Sequence, residues 1–205
     1  MVREIRIYVE GGGDQRSGKA AVREGFSKFL LSVREKARAH RVRWNIIACG
    51  SIRNAVEDYR NALIRHPEAM NALLVDSDGP VHLPPVEHLH VYGGFDMSGL
   101  SPDQIHLMVQ VMEAWILSDA DVLARFYGAG LNANAIPRHT NIELVAKQDV
   151  YQRLKAATRN TTKGEYHKIR HGPKILAMLN VHKVRGMAPH CNRLFNVLEK
   201  WLGDE

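Results

Sequence analysis

The run "NALLVDSD" (residues 71–78) is apolar throughout until it ends in two aspartates. A strand without polar alternation reads as buried on both faces, and such strands belong to parallel sheets covered by helices on each side. Two earlier segments suit the same sheet: "EIRIYV" (4–9) and "VRWNIIAC" (42–49). Between them, residues 15–40 place Val22, Phe26, Phe29, Leu30 and Val33 at three- and four-residue steps, one apolar stripe on a long basic helix. A second helix is predicted over 52–64, stopped by His66-Pro67. Strand, helix, strand, helix, strand with short connections predicts an α/β fold, a parallel sheet joined by right-handed crossovers.

The rest of the chain extends that plan. Residues 79–103 hold four prolines and four glycines without a period, and read as a long binding or lid loop. "IHLMVQV" (105–111) reads as a fourth strand running directly into a helix over 112–128, which Gly128 and Gly130 end. Residues 149–202 read as three helices, broken near Asn160–Thr162 and Gly186–Pro189. The expected organisation is an α/β core over 1–128 and a basic helical part over 129–205 packed on it. No apolar run approaches the ~20 residues a membrane span needs, and no signal-peptide core is present. Cys49 and Cys191 lie in no metal spacing, so a reducing cytoplasm is the expected setting.

In open parallel sheets the site forms at the carboxyl ends of the strands. Glu10 and Asp76 stand at two such ends. Gly11–Gly13 leave space above the first, Asp14 can return toward it, and Asp78 shares a face with Asp76 if the strand continues. Glu113, at the junction of the fourth strand and its helix with Gln110 nearby, can face the same edge. Clustered carboxylates repel unless a hard cation neutralises them, so Glu10, Asp14, Asp76, Asp78 and Glu113 are candidate ligands for Mg2+ or Mn2+, with Glu10, Asp76 and Asp78 as the catalytic set.

Charge is unevenly spread. Residues 1–65 balance at +7, 66–150 at −8 and 151–200 at +9. An acidic middle between basic flanks suits a carboxylate metal site beside a polyanion surface. The densest cationic stretch offers Lys163, Lys168, Arg170, His171 and Lys174 as phosphate ligands, with Lys168 or His171 assisting a leaving group.

At "YVEGGGD" and "LLVDSD" the sequence resembles a Toprim domain, the fold shared by topoisomerases, primases and overcoming-lysogenization-defect nucleases. More narrowly, "VEGGGD", "VREGFSKFL", "ACGSIRNAVEDY", "HLMVQVMEAWILSD", "KAATRNTTKGEYHKIRHGPKIL" and "APHCNRLFNVL" resemble a family of small bacterial Toprim-like, RloG-like proteins often encoded beside restriction or phage-defence genes. The resemblance runs from about residue 5 to 198 and implies a Toprim-like, Rossmann-like sheet of about four strands. It further implies a metal-dependent activity on DNA or RNA, unleashed by a partner ATPase of the same defence locus. Ser77-Asp78-Gly79 departs from the expected Ser-Glu pair.

Two other readings stand beside the nuclease. One is a non-catalytic subunit that docks on an ATPase or RNA partner. The other is a nucleotide hydrolase, since Gly13-x4-Gly18-Lys19 has P-loop spacing. Against the latter, Ala20 replaces the hydroxyl residue a P-loop supplies to its metal, and Gly13 lies three residues beyond the strand end. His82, His88 and His90 lack a further zinc ligand and read as loop residues. Asp119 and Asp121 read as helix surface.

Overall fold

The structure, a computed structural model, describes residues 2–203; Met1, Asp204 and Glu205, including the end of the expected 129–205 part, lie outside the described residues. Four strands, β1 (Glu4–Glu10), β2 (Arg43–Gly50), β3 (Met70–Asp76) and β4 (Ile105–Met108), form one all-parallel sheet in the order β2-β1-β3-β4. The fold is α/β and Rossmann-like, as the strand–helix alternation predicts.

Period-2 alternation divides the core in two. Ile5, Ile7, Val9, Ala72, Leu74 and Met108 face one layer, built from α1 (Arg16–Phe29), α2 (Leu31–Ala39) and the later helices. Tyr8, Leu73, Val75, Ile105 and Leu107 face the other, covered by α3 (Ile52–Arg65) and α4 (Pro85–Val91). Central β3 therefore has no polar face to show, which accounts for its unbroken apolar run.

Several elements differ from the sequence expectation. The basic helix over 15–40 breaks at fully buried Leu30, so that Val33 and Ala37 stay turned to the core after the bend. The loop over 79–103 contains α4, started by Pro85 in its first turn and anchored by buried Leu89 and His88. The 112–128 helix is two: α5 (Glu113–Leu117) and α6 (Ala120–Tyr127). Asp119 caps α6 by accepting from the Val122 N–H; it is 1% exposed and also accepts from the Asn180 N–H and Lys183 Nζ. Asp119 is thus a buried cap rather than helix surface, while Asp121 is exposed.

Among the described residues the C-terminal part has four α-helices, not three: α7 (Lys147–Thr158), α8 (Lys168–Leu176), α9 (Val181–Met187) and α10 (Pro189–Trp201). The extra break falls at Asn180, whose side chain accepts from the first N–H groups of α9. Helix α8 lies directly on α1, and a Cβ on Gly25 would stand 2.7 Å from the Pro173 carbonyl oxygen. Only glycine permits that approach, which sets the start of α8 above the carboxyl ends of β1 and β3. Among the described residues no helix is long and apolar enough to cross a membrane.

Candidate active site

Glu10 and Asp76 end two neighbouring strands. Strict alternation would put Glu10 on the Tyr8 face of the sheet, away from Asp76. Glu10 nonetheless reaches the Asp76 side, at the point where the β1–β2 register skips Cys49 and β1 leaves the sheet through Gly11 at a φ of 129°. Its Oε2 accepts from the Asp76 N–H at 3.1 Å, and Asp76 Oδ1 accepts from the Met112 N–H at 2.9 Å. Both side chains line a cleft of about 250 Å3.

The cleft floor is glycine. Gly11–Gly13, Gly18 and Gly50 line it, and the loop is locked to the first turn of α1: a Cβ on Gly18 would meet the Gly12 carbonyl oxygen at 2.2 Å. Gly18 lines this cleft but Lys19 does not.

Lys168, first residue of α8, closes the cleft. Its Nζ lies 3.6 Å from Asp76 Oδ2, 3.8 Å from Glu113 Oε2 and 3.3 Å from the Tyr151 hydroxyl. Glu113 is fully buried, and Tyr151 and Tyr166 donate to its two oxygens at 3.2 and 3.1 Å. Burial raises both phenols, and the Glu113 charge raises them further, so they stay protonated as donors. Burial pushes Asp76 up to about 8 against the pull of Lys168, with Glu10 and Glu113 adding to the rise. Glu10 is raised by burial too, and by the Asp78 charge. Lys168 is raised although burial opposes it, because Glu113 and Asp76 together outweigh that opposition.

Two expected metal ligands stand apart. The strand ends at Asp76 and Asp78 takes a positive φ of 58°, which breaks the alternation that would align the pair. The Asp78 carboxylate pairs instead with Lys147 Nζ. Asp14 is exposed and outside the cleft lining, because the glycine loop turns away into α1. Among the described residues no group of three or more His, Cys, Asp or Glu side chains is gathered to hold a metal by itself. Asp76 and Glu113 face the Lys168 ammonium instead, and Glu10 meets the Asp76 backbone N–H. Magnesium, however, commonly takes one or two carboxylates, keeps waters and completes its shell with substrate phosphate. Glu10 Oε1 has no hydrogen bond among the described residues, and the second oxygen of Asp76 faces the cleft. That pair fits such an ion; the expected five-acid set does not.

The cationic stretch is also rearranged. Helix α8 begins only at Lys168, with His167 as its cap, so Lys163 lies off the helix and over the Phe126 ring. Lys163, Arg170 and Lys174 are exposed and line a second groove of about 540 Å3, joined to the cleft across Ile169 and Pro173. His171 lines the same groove, but its Nδ1 is taken by the Tyr127 hydroxyl at 2.9 Å and the His167 N–H at 3.2 Å, and burial lowers its pKa. Gln110, expected at the site edge, holds the Lys147 N–H through its side chain and the Asp78 N–H through its carbonyl. His88 is buried with Nε2 on the Ser77 carbonyl, a fold-holding contact.

A family described as a domain of unknown function (DUF4276) matches residues 9–199. The chain belongs to that family. No curated protein and no solved structure matches it. The DUF4276 match contains every site residue from Glu10 to Lys174. Sequence reasoning missed Lys147 and Tyr151, which sit one turn apart on α7 and reach Asp78 and Glu113 respectively. The available signal was that four-residue spacing, obscured because the helix was expected to start at 149.

Proposed function

We propose that this chain is a divalent-metal-dependent nuclease. The observation that carries the reading is the convergence of Glu10 and Asp76, from adjacent parallel strands, with Lys168 in one cleft that continues into the groove of Lys163, Arg170 and Lys174. Glu10 and Asp76 would hold Mg2+ or Mn2+. The ion when bound supplies Lewis-acid stabilisation of charge on the phosphodiester and a more acidic water. The chain's own groups do the rest. Lys163, Arg170 and Lys174 hold flanking phosphates, and Lys168 directs N–H donors at an oxygen of the phosphate under attack. Tyr151 and Tyr166 fix Glu113, which fixes Lys168. The resemblance to Toprim domains supports the same reading, and with it a partner ATPase, a role in bacterial defence and a cytoplasmic setting.

A second reading, a non-catalytic docking subunit, is favoured by one observation: Lys168 already gives Asp76 and Glu113 a shared counter-charge without any added ion. One experiment separates the two. Plasmid, single strands and tRNA are incubated with the chain in Mg2+, Mn2+ or chelator. Cleavage in metal alone is expected, with Glu10→Gln lowering it on the order of 100-fold or more, since even outer-shell changes at metal sites cost 10–100-fold. Lys19→Ala should leave it unchanged. Intact substrates under every metal condition would overturn the nuclease reading in favour of the docking subunit.

A further inference from the structure

The cleft beside Glu10 and Asp76 is not polar throughout. Away from its charged end the wall is formed by Val22, Phe26, Met112, Ile169, Pro173 and Leu176, over the side-chain-free glycine floor. A phosphate bound at the charged end cannot use that wall, and water gains little from it. The wall suits a flat, largely apolar group covalently attached to the phosphate.

The neighbouring groove narrows the choice. Ile169 and Pro173 form the ridge shared by the cleft and the groove of Lys163, Arg170 and Lys174. A ligand crossing the ridge meets cations on one side, then an apolar recess beside carboxylates and one ammonium on the other. A polymer that alternates phosphates with flat apolar rings has that order. In a duplex the rings are stacked inside and paired, and presenting one here requires paying a few kcal/mol to extrude it, whereas a single strand presents its bases freely.

We infer that the recess receives one unstacked nucleobase, and that the substrate is single-stranded or locally unpaired nucleic acid. The inference rests on the nuclease reading for the role of the charged end, but its test reads binding alone. Ile169 is the probe because it is 57% exposed, so truncating it leaves the core intact.

A short single strand carrying one 2-aminopurine is titrated with the chain in chelator, alongside the same strand annealed to its complement. The fluorescence of the single strand is expected to rise on binding, as the base leaves its stack for an apolar wall. The single strand should bind at least about tenfold more tightly than the duplex, and Ile169→Ala should weaken it roughly three- to tenfold, since the substitution strips apolar contact from the bound base. Duplex binding should not respond to the substitution. Equal affinity for both forms, an unchanged signal, or equal weakening of both by Ile169→Ala overturns the inference. The two proposals fail separately. A chain that cleaves duplex in Mg2+ but shows no single-strand preference loses only the base recess. A chain that takes up the base yet cleaves nothing in any metal loses only the nuclease.

Discussion

Lys168 is the residue whose role changes most between sequence and structure. As one cation in a basic stretch it reads as a solvated phosphate ligand whose removal leaves folding untouched. In the structure its ammonium is the cation that faces fully buried Glu113 and buried Asp76 together. Stripping a buried carboxylate of its partner costs about 3–5 kcal/mol, but half of the Lys168 side chain is in water, which can follow it out and soften the loss. Lys168→Met should therefore destabilise the metal-free protein by about 1–2 kcal/mol. Lys174→Ala, which breaks no ion pair among the described residues, should shift stability by less than about 0.5 kcal/mol. Urea midpoints at neutral pH measure both. Equal midpoints for the two variants would mean that Tyr151 and Tyr166 alone suffice for Glu113.

At the scale of elements, β4 offers a pH-dependent test. His106 is 1% exposed, and Arg193 of α10 donates both to its Nδ1 and to the Ile105 carbonyl. Burial, reinforced by the charges of Arg193 and His190, lowers His106 to about 3, and the nearby Asp103 backbone opposes the drop only in part. The folded ring thus stays neutral where the unfolded ring, near 6.5, takes up a proton. Its contribution to stability is whole above pH 6.5 and falls as the pH is lowered toward 3, by at most about 1.4 kcal/mol per unit. His106→Asn should flatten the stability–pH profile between pH 6 and 4.5 relative to wild type, and groups common to both proteins cancel in the difference. Parallel profiles would show that the ring is protonated in the folded state. The same strand shows what a sequence can and cannot disclose. The four strands were legible because each is a short apolar run between turn signals, and Glu10 and Asp76 because each ends one. The fourth was read three residues too long, because Val109 and Val111 remain buried while the chain already bends to bring the Met112 N–H to Asp76. The breaks at Leu30 and Asp119 were hidden because the apolar stripe runs through both bends. Nothing local could reveal that Tyr166 reaches Glu113 from 53 residues away or that Asp78 turns to Lys147.

For the molecule as a whole, the question is whether the helical part over 129–205 is an appendage or part of one folding unit. Phe195 of α10 is fully buried with its ring 5.7 Å from that of Phe29 on α1, and Phe29 stacks at 5.2 Å on Trp115 of α5. Three elements from the beginning, middle and end of the sequence therefore share one aromatic cluster, and the same core layer takes in Val150, Leu154, Ile175 and Leu198. Removing the C-terminal helices would uncover that face of the sheet's helical layer, so the two parts are expected to melt together. Phe195→Ala should cost about 3–5 kcal/mol, a large part of an ordinary domain's total stability, and lower the melting temperature by roughly 10 °C. In a background with Trp44→Phe and Trp201→Phe, it should do so while keeping a single transition, with helix signal and tryptophan fluorescence superimposed, because Trp115, then the sole tryptophan, sits inside the shared cluster. Under the appendage alternative, the variant would lose part of its helix signal in an early transition while Trp115 kept its folded fluorescence. Two separated transitions in that order would show that the sheet with α1–α6 folds without α10.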